Sequence, residues 1–228
     1  MTTPTADPTA DPTTDRPDTH DMVIVHRAFR RESLLLASLI GAVPDGDTVR
    51  AGVLATHLRW YRLGLHNHHH GEDELIWPPL LARADLESDV VVRMEAQHVR
   101  VAESLDRVML ALPEWQGSAG RSPRQRLVAA LGEHREALIE HLDDEETHLL
   151  PLAERHLTRR EWGAMGDHFL AATPKSLLLS FLGAILEEAD PVERGDVLGA
   201  MPTPARLLWH TVGRALYARR IRRVRGRR

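Results

Sequence analysis

Apolar residues return every three to four positions from about residue 21 to beyond residue 150, the spacing of amphipathic helices, and few stretches alternate as strands do. In the first long stretch Val25/His26, Phe29, Ser33, Leu36 and Ile40 share one face, with Asp21 as the expected N-cap and an end near Ala42. After the turn VPDGD, the residues Leu54, Leu58, Tyr61, Leu65, His68, Glu72 and Leu75 mark a second helix. It is expected to run from about Thr48 to the Pro78-Pro79 break. Val91, Met94, His98, Val101, Leu105 and Val108 mark a third, from about Ser88 to Leu112. The stretch PEWQGSAGR then reads as a loop. Ser122-Pro123 with Gln125 reads as a capping box opening a fourth helix, whose face carries Leu127, Leu131, His134, Leu138, His141, Glu145 and Leu149.

Long amphipathic helices with short connections predict an all-α fold, an antiparallel up-down-up-down four-helix bundle over residues 21–157. Thr158 with Glu161 forms a second capping-box pattern, opening a helix to about Ala171. Pro174, Pro191, Pro202 and Pro204 divide the rest of the chain, so residues 158–228 are expected to be a helical C-terminal extension ending in a basic tail. Residues 1–20 are a Thr/Pro/Asp-rich tract with almost nothing apolar to bury, and are expected to be a disordered tail.

One motif recurs within this frame. His68-x3-Glu72-x5-Pro78 returns as His141-x3-Glu145-x5-Pro151, in the stretches HHHGEDELIWP and HLDDEETHLLP. A histidine and a carboxylate four residues apart lie on one helix face, one turn apart, so each helix can offer both to one small volume. The predicted bundle also matches the histidines in depth. At a rise of about 1.5 Å per residue, His26 and His68 lie roughly 24 and 30 Å from the first turn, and His98 and His141 roughly 21 and 28 Å from the loop between helices three and four. The four histidines are therefore expected to converge on a site able to enclose a metal pair with shared carboxylates.

Composition narrows the metal chemistry. The 228 residues include fourteen histidines and no cysteine, which excludes disulfides, thiolate zinc sites and iron–sulfur clusters and leaves any metal to imidazole and carboxylate. Such ligands suit iron, manganese or zinc. The apolar stretches fall short of a membrane span and the start lacks a secretory pattern, so a cytoplasmic protein is expected. The net charge of −4 hides eight arginines, without an acid, in the last fifteen residues. That tail could contact nucleic acid or an anionic membrane through phosphates, although a solvated helix end accounts for it more simply.

With His26, His68/Glu72, His98 and His141/Glu145 in that order, the chain resembles the hemerythrin-like (HHE cation-binding) family, of the bacterial type, over about residues 21–157. The resemblance implies a non-haem centre of two iron ions, oxo- or hydroxo-bridged, with manganese or zinc as alternatives. It implies His26 and His68 on one ion, His98 and His141 on the other, and Glu72 and Glu145 as bridges. Two positions depart from oxygen-carrying hemerythrins. Met94 stands where those have a further histidine one turn before the third-helix ligand, and Glu146 where they bridge with an aspartate; Glu145 is preferred here over Glu146. The missing histidine points away from reversible oxygen carriage and toward reaction with, or sensing of, oxygen, peroxide or nitric oxide as the small ligand of the pair. If the chain is an enzyme, a catalase-like or oxidase-like di-iron oxidoreductase is expected. The alternatives are an iron-storage or regulatory module without catalysis, and a metal-free helical scaffold acting through the basic tail.

Other residues are expected in plainer roles. His66, His69 and His70 are placed at the surface or behind the ligands, and His57, His148, His156, His168 and His210 have no positional case. Tyr61 and His134, each seven residues before a ligand histidine, are expected to pack in the core. Glu32, Glu95 and Asp106 read as ordinary charged helix positions, and Trp77-Pro78 as a helix end with a packed aromatic.

Overall fold

Four long helices carry the patterned faces. They are α1 (His20–Gly41), α2 (Thr48–Leu75), α4 (Ser88–Ser118) and α5 (Arg121–Asp144), with the short α3 (Trp77–Arg83) between the second and third. The computed structural model describes residues 15–84 and 87–226, and no strand occurs among them. Helix α5 continues through a π turn (Glu145–Leu149) into α6 (Leu150–His156). Around the ring α1 packs on α2, α2 on α4, α4 on α5 and α5 on α1. Most of the tail expected to be disordered, residues 1–14, lies outside the described residues. Its last part is engaged with the fold: the Asp15 carbonyl accepts from the Arg159 amide at 2.9 Å, and the buried Thr19 hydroxyl donates to Glu154 at 2.9 Å.

Several boundaries differ from the sequence expectation, each for a local reason. Thr19, not Asp21, is the residue before α1; Asp21 sits in the first turn, where its carboxylate accepts from the Trp162 indole at 3.1 Å. Helix α2 stops at Leu75, three residues before the proline pair. Pro78 and Pro79 occupy the opening turn of α3, where proline's missing N–H costs nothing. The stretch PEWQGSAGR is not a loop. Helix α4 runs through Pro113 to Ser118, because Leu112 and Trp115 on either side of the proline are fully buried. The turn comes at Ala119, in the left-handed region at φ 46°. The Ser122 capping box does not form, since Gly120 precedes the helix and the Ser122 hydroxyl instead accepts from Arg126. The Thr158–Glu161 capping box does form, with both reciprocal bonds.

The longer α4 tightens the depth match. His68 lies twenty residues from the start of α2, His141 twenty from the start of α5, and His98 twenty from the end of α4, about 30 Å in each case. The site is a layer between two apolar clusters. The larger fills the bundle toward the α1–α2 and α4–α5 turns with Leu36, Leu54, Leu58, Leu112, Trp115 and Leu131. The smaller plugs the other end, where α3 and α6 pack together and contribute Trp77, Leu80, Leu150 and Ala153 around Met94 and Val91. Both prolines of the repeat thus occupy one kind of position, the first turn of a short helix of this plug.

The C-terminal helices are α7 (Arg159–Ala172), α8 (Lys175–Glu188), α9 (Pro191–Ala200), α10 (Thr203–Leu208) and α11 (Arg214–Arg225), with a π turn at Trp209–Gly213. They lie against the bundle: α7 on α2, α8 on α1, and α11 on α8 and α2. Gly64 permits this docking, since a Cβ there would stand 2.5 Å from the Phe181 ring. Three of the basic residues serve the docking. Arg225 pairs with Glu187 at 2.7 and 2.9 Å, Arg220 lies 5.1 Å over the Trp60 ring, and Arg50 of α2 caps the Arg223 carbonyl at 2.8 Å. No helix among the described residues is long and apolar enough to cross a membrane.

Candidate metal centre

All six residues singled out by spacing come together. His26 of α1, His68 and Glu72 of α2, His98 of α4, His141 of α5 and Glu145 at the first π position are each at least 95 % buried. One Glu72 oxygen lies 3.4 Å from His68 Nε2 and the other 3.5 Å from His98 Nε2. A single Glu145 oxygen lies 3.4 Å from His26 Nε2 and 3.3 Å from His141 Nε2. Glu72 therefore spans α1–α2 and α4, and Glu145 spans α1 and α5.

A seventh residue joins them. His69, expected at the surface or behind the ligands, is 8 % exposed and stacks on His98 with ring centroids 4.1 Å apart, edge-on to His141 at 4.9 Å. Ligand atoms of His69, Glu72, His98 and His141 all lie within 4.8 Å of one another, as do those of His26, His68 and Glu72. Glu72 belongs to both groups. The geometry of α2 explains this. At about 100° per residue, Glu72 is rotated about 40° one way from His68 and about 60° the other way from His69, so one carboxylate is flanked by two imidazoles. His68 turns toward His26 and Phe29 of α1, and His69 toward α4 and α5. His66 and His70 are exposed, as expected.

The remaining ring atoms of these histidines are fixed from behind. His98 Nδ1 donates to Asp73 at 2.7 Å, and the same oxygen accepts from the Trp77 indole at 2.7 Å. His26 Nδ1 donates to Glu146 at 2.9 Å, and Arg30 holds that carboxylate at 2.5 Å. His141 Nδ1 faces the Gln97 carbonyl oxygen at 3.4 Å, and the Gln97 amide donates to Asp144 at 2.9 Å. A proton held on Nδ1 leaves the Nε2 lone pair free toward the centre. Glu146 thus supports His26 from outside the cluster, while Glu145 lies within it.

These contacts leave five imidazole Nε2 atoms (His26, His68, His69, His98, His141) and all four oxygens of Glu72 and Glu145 buried without a hydrogen-bond partner. So many orphaned donors and acceptors in one volume are costly unless something else satisfies them. The electrostatics agree. Burial and the neighbouring imidazoles hold His68, His69 and His141 well below the ordinary histidine range. Burial, with Glu145 close by, raises the Glu72 carboxyl, and burial raises that of Glu145. Neutral imidazoles and two carboxylates facing inward are the donor set that divalent and trivalent cations take. The cluster fits a metal site.

Two further buried histidines lie away from the cluster. Tyr61 and His134 bond to each other at 2.8 Å, and His134 Nδ1 meets the Ser104 hydroxyl at 2.9 Å, a closed polar link within the core. Glu32 and His57, read from sequence as an ordinary charge and an unplaced histidine, form a buried pair at 2.8 Å, with His57 stacked on Trp60 at 4.9 Å. No sequence motif marks that pair; only the tertiary cover supplied by α8 and α11 buries it.

No curated protein and no solved structure matches the chain. The model of the hemerythrin HHE cation-binding domain matches residues 18–153, more than half of its length, which are the residues of the bundle and the plug that enclose the centre. The chain belongs to the hemerythrin HHE cation-binding family.

Proposed function

We propose that this protein holds a non-haem di-iron centre that reacts with, or senses, oxygen, peroxide or nitric oxide. The observation that carries the proposal is the pair of ligand groups sharing Glu72, three residues toward α1 and four toward α4 and α5. In this reading His26 and His68 serve one ion, and His69, His98 and His141 the other, with Glu72 and Glu145 between them. His69 then supplies, from α2, the imidazole that Met94 withholds on α4, so the expected loss of a ligand is offset. The His26/His68 side keeps two imidazoles against three and so has the most room for a small ligand.

When bound, two iron ions supply a redox-active pair able to exchange electrons with such a ligand. The chain's own residues hold it in place. Asp73, Glu146 and Gln97 keep the ring protons on Nδ1 and the rings in orientation. The plug built from Trp77, Leu80, Leu149 and Leu150 keeps water from the lower face of the site. Manganese or zinc would use the same donors without the same redox chemistry.

The proposal is tested by reconstituting the full chain with ferrous iron and following oxygen uptake and peroxide decay. Activity that disappears in Glu72→Ala is the expected result. Cycles of oxygen binding and release without turnover, or iron that stays inert to all three small ligands, would contradict it and favour carriage or storage.

A further inference from the structure

The C-terminal helices do more than cover the bundle. Helix α7 lies on α2 and α8 lies on α1, and between α1 and α7 they leave a cleft of about 340 Å³ floored by α2. Its α1 wall runs from Asp21 to Glu32, about 16 Å at 1.5 Å per residue. The Trp162–Asp21 bond pins one end, and Phe181, Ala184 and Ile185 of α8 close the other. The His68 ring forms part of the wall.

The lining is apolar, and its charged groups are already engaged. Asp21 is held by Trp162 and the Met22 amide, Glu32 by His57 and Arg31, and Asn67 donates to Thr173 at 3.1 Å. His68 Nε2, which faces Glu72, and the Trp60 indole N–H lack partners but are fully buried, so neither offers the cleft a hydrogen bond. Gly163 and Gly166, one turn apart on α7, stand at the rim, where a Cβ on either would meet nothing within 4 Å. The volume is that of a small-molecule pocket. The first fourteen residues of the chain carry no large apolar side chain beyond Met1 that could fill it.

We propose that this cleft binds a small, uncharged, apolar organic molecule, held against the His68 ring. Its link to the metal pair rests on the di-iron reading above; the cleft itself does not.

The test titrates the iron-loaded full chain with the uncharged fluorophore N-phenyl-1-naphthylamine and competes it with 2-decanone or decanoate, measuring iron content and near-ultraviolet absorption on the same samples. Binding at one site per chain is expected, displaced by the ketone and not by equal decanoate. Gly166→Phe and Gly163→Leu should each weaken it at least about tenfold while melting temperature and iron content hold. Saturating ketone should shift the absorption of the iron centre. Undiminished binding in both variants, or displacement by decanoate as readily as by the ketone, would overturn the proposal. A dimer abolished by Gly166→Phe would do the same, by assigning the cleft to a second copy. Probe binding lost in the variants of a chain that holds no iron would sink the di-iron reading and leave the cleft standing. No probe binding to an iron-loaded chain would sink the cleft alone.

Discussion

Adjacent residues of α2 show what spacing can and cannot reveal. His68 was legible because it shares the frame of His141, four residues before a carboxylate on an otherwise apolar face. His69 has no counterpart in the second copy and stands beside exposed histidines, so no periodicity singled it out. Its inward turn depends on α4 and α5 closing over that flank of α2. Asp73 and Gln97, which orient the rings of His98 and His141, carry no sequence signal for the same reason, and Glu146, behind His26, reads from sequence only as a bridge less favoured than Glu145. Asp73→Asn removes the charged acceptor behind His98 and leaves the ring a neutral one; iron affinity should fall roughly 10–100-fold, measured by competition with a chelator, with the fold unchanged by circular dichroism.

His134 gives a pH signature at the same scale. Burial lowers it to about 4, below the free value of about 6.5. Between these values the unfolded chain takes up a proton that the folded chain refuses, so this contribution to stability is complete above pH 6.5 and is lost as the pH falls. From pH 6.5 to 5 the loss from this residue should be about 2 kcal/mol. In His134→Gln, denaturant titrations of the iron-loaded protein should show a pH dependence flatter by about that amount, and an unchanged slope would contradict the assignment.

At the scale of elements, the helices and their order were legible, and their ends less so. The capping box at Thr158 forms, and Arg83 holds the same Glu161 carboxylate from outside. The box at Ser122 does not form, because α5 starts at Arg121, two residues before Pro123, the first helical position the box requires. Pro113 looked like a helix stop, since proline removes a backbone bond and commonly costs about 3 kcal/mol inside a helix. The burial of Leu112 and Trp115 outweighs it, a tertiary effect with no local signal. Trp115→Ala should therefore cost about 3–5 kcal/mol and fray α4 back toward Pro113, read as lost hydrogen-exchange protection over 114–118.

At the scale of the whole molecule, the extension could be read as helical but not placed. Its docking rests on close approaches such as Gly64 against Phe181, which a linear pattern does not encode. Gly64→Val should push Phe181 away and cost about 1–3 kcal/mol, lowering the melting temperature while leaving iron content intact, because the ligands belong to the bundle.

The central claim is that the buried histidine and glutamate cluster holds a metal pair, and metal content read together with the optical spectrum tests it most directly. The full chain, produced in iron-replete medium, should carry about two iron per chain and absorb in the near ultraviolet as a bridged diferric pair does, with both signals lost in Glu72→Ala. A chain with no stoichiometric metal, or with a single zinc and no near-ultraviolet absorption, would contradict the account.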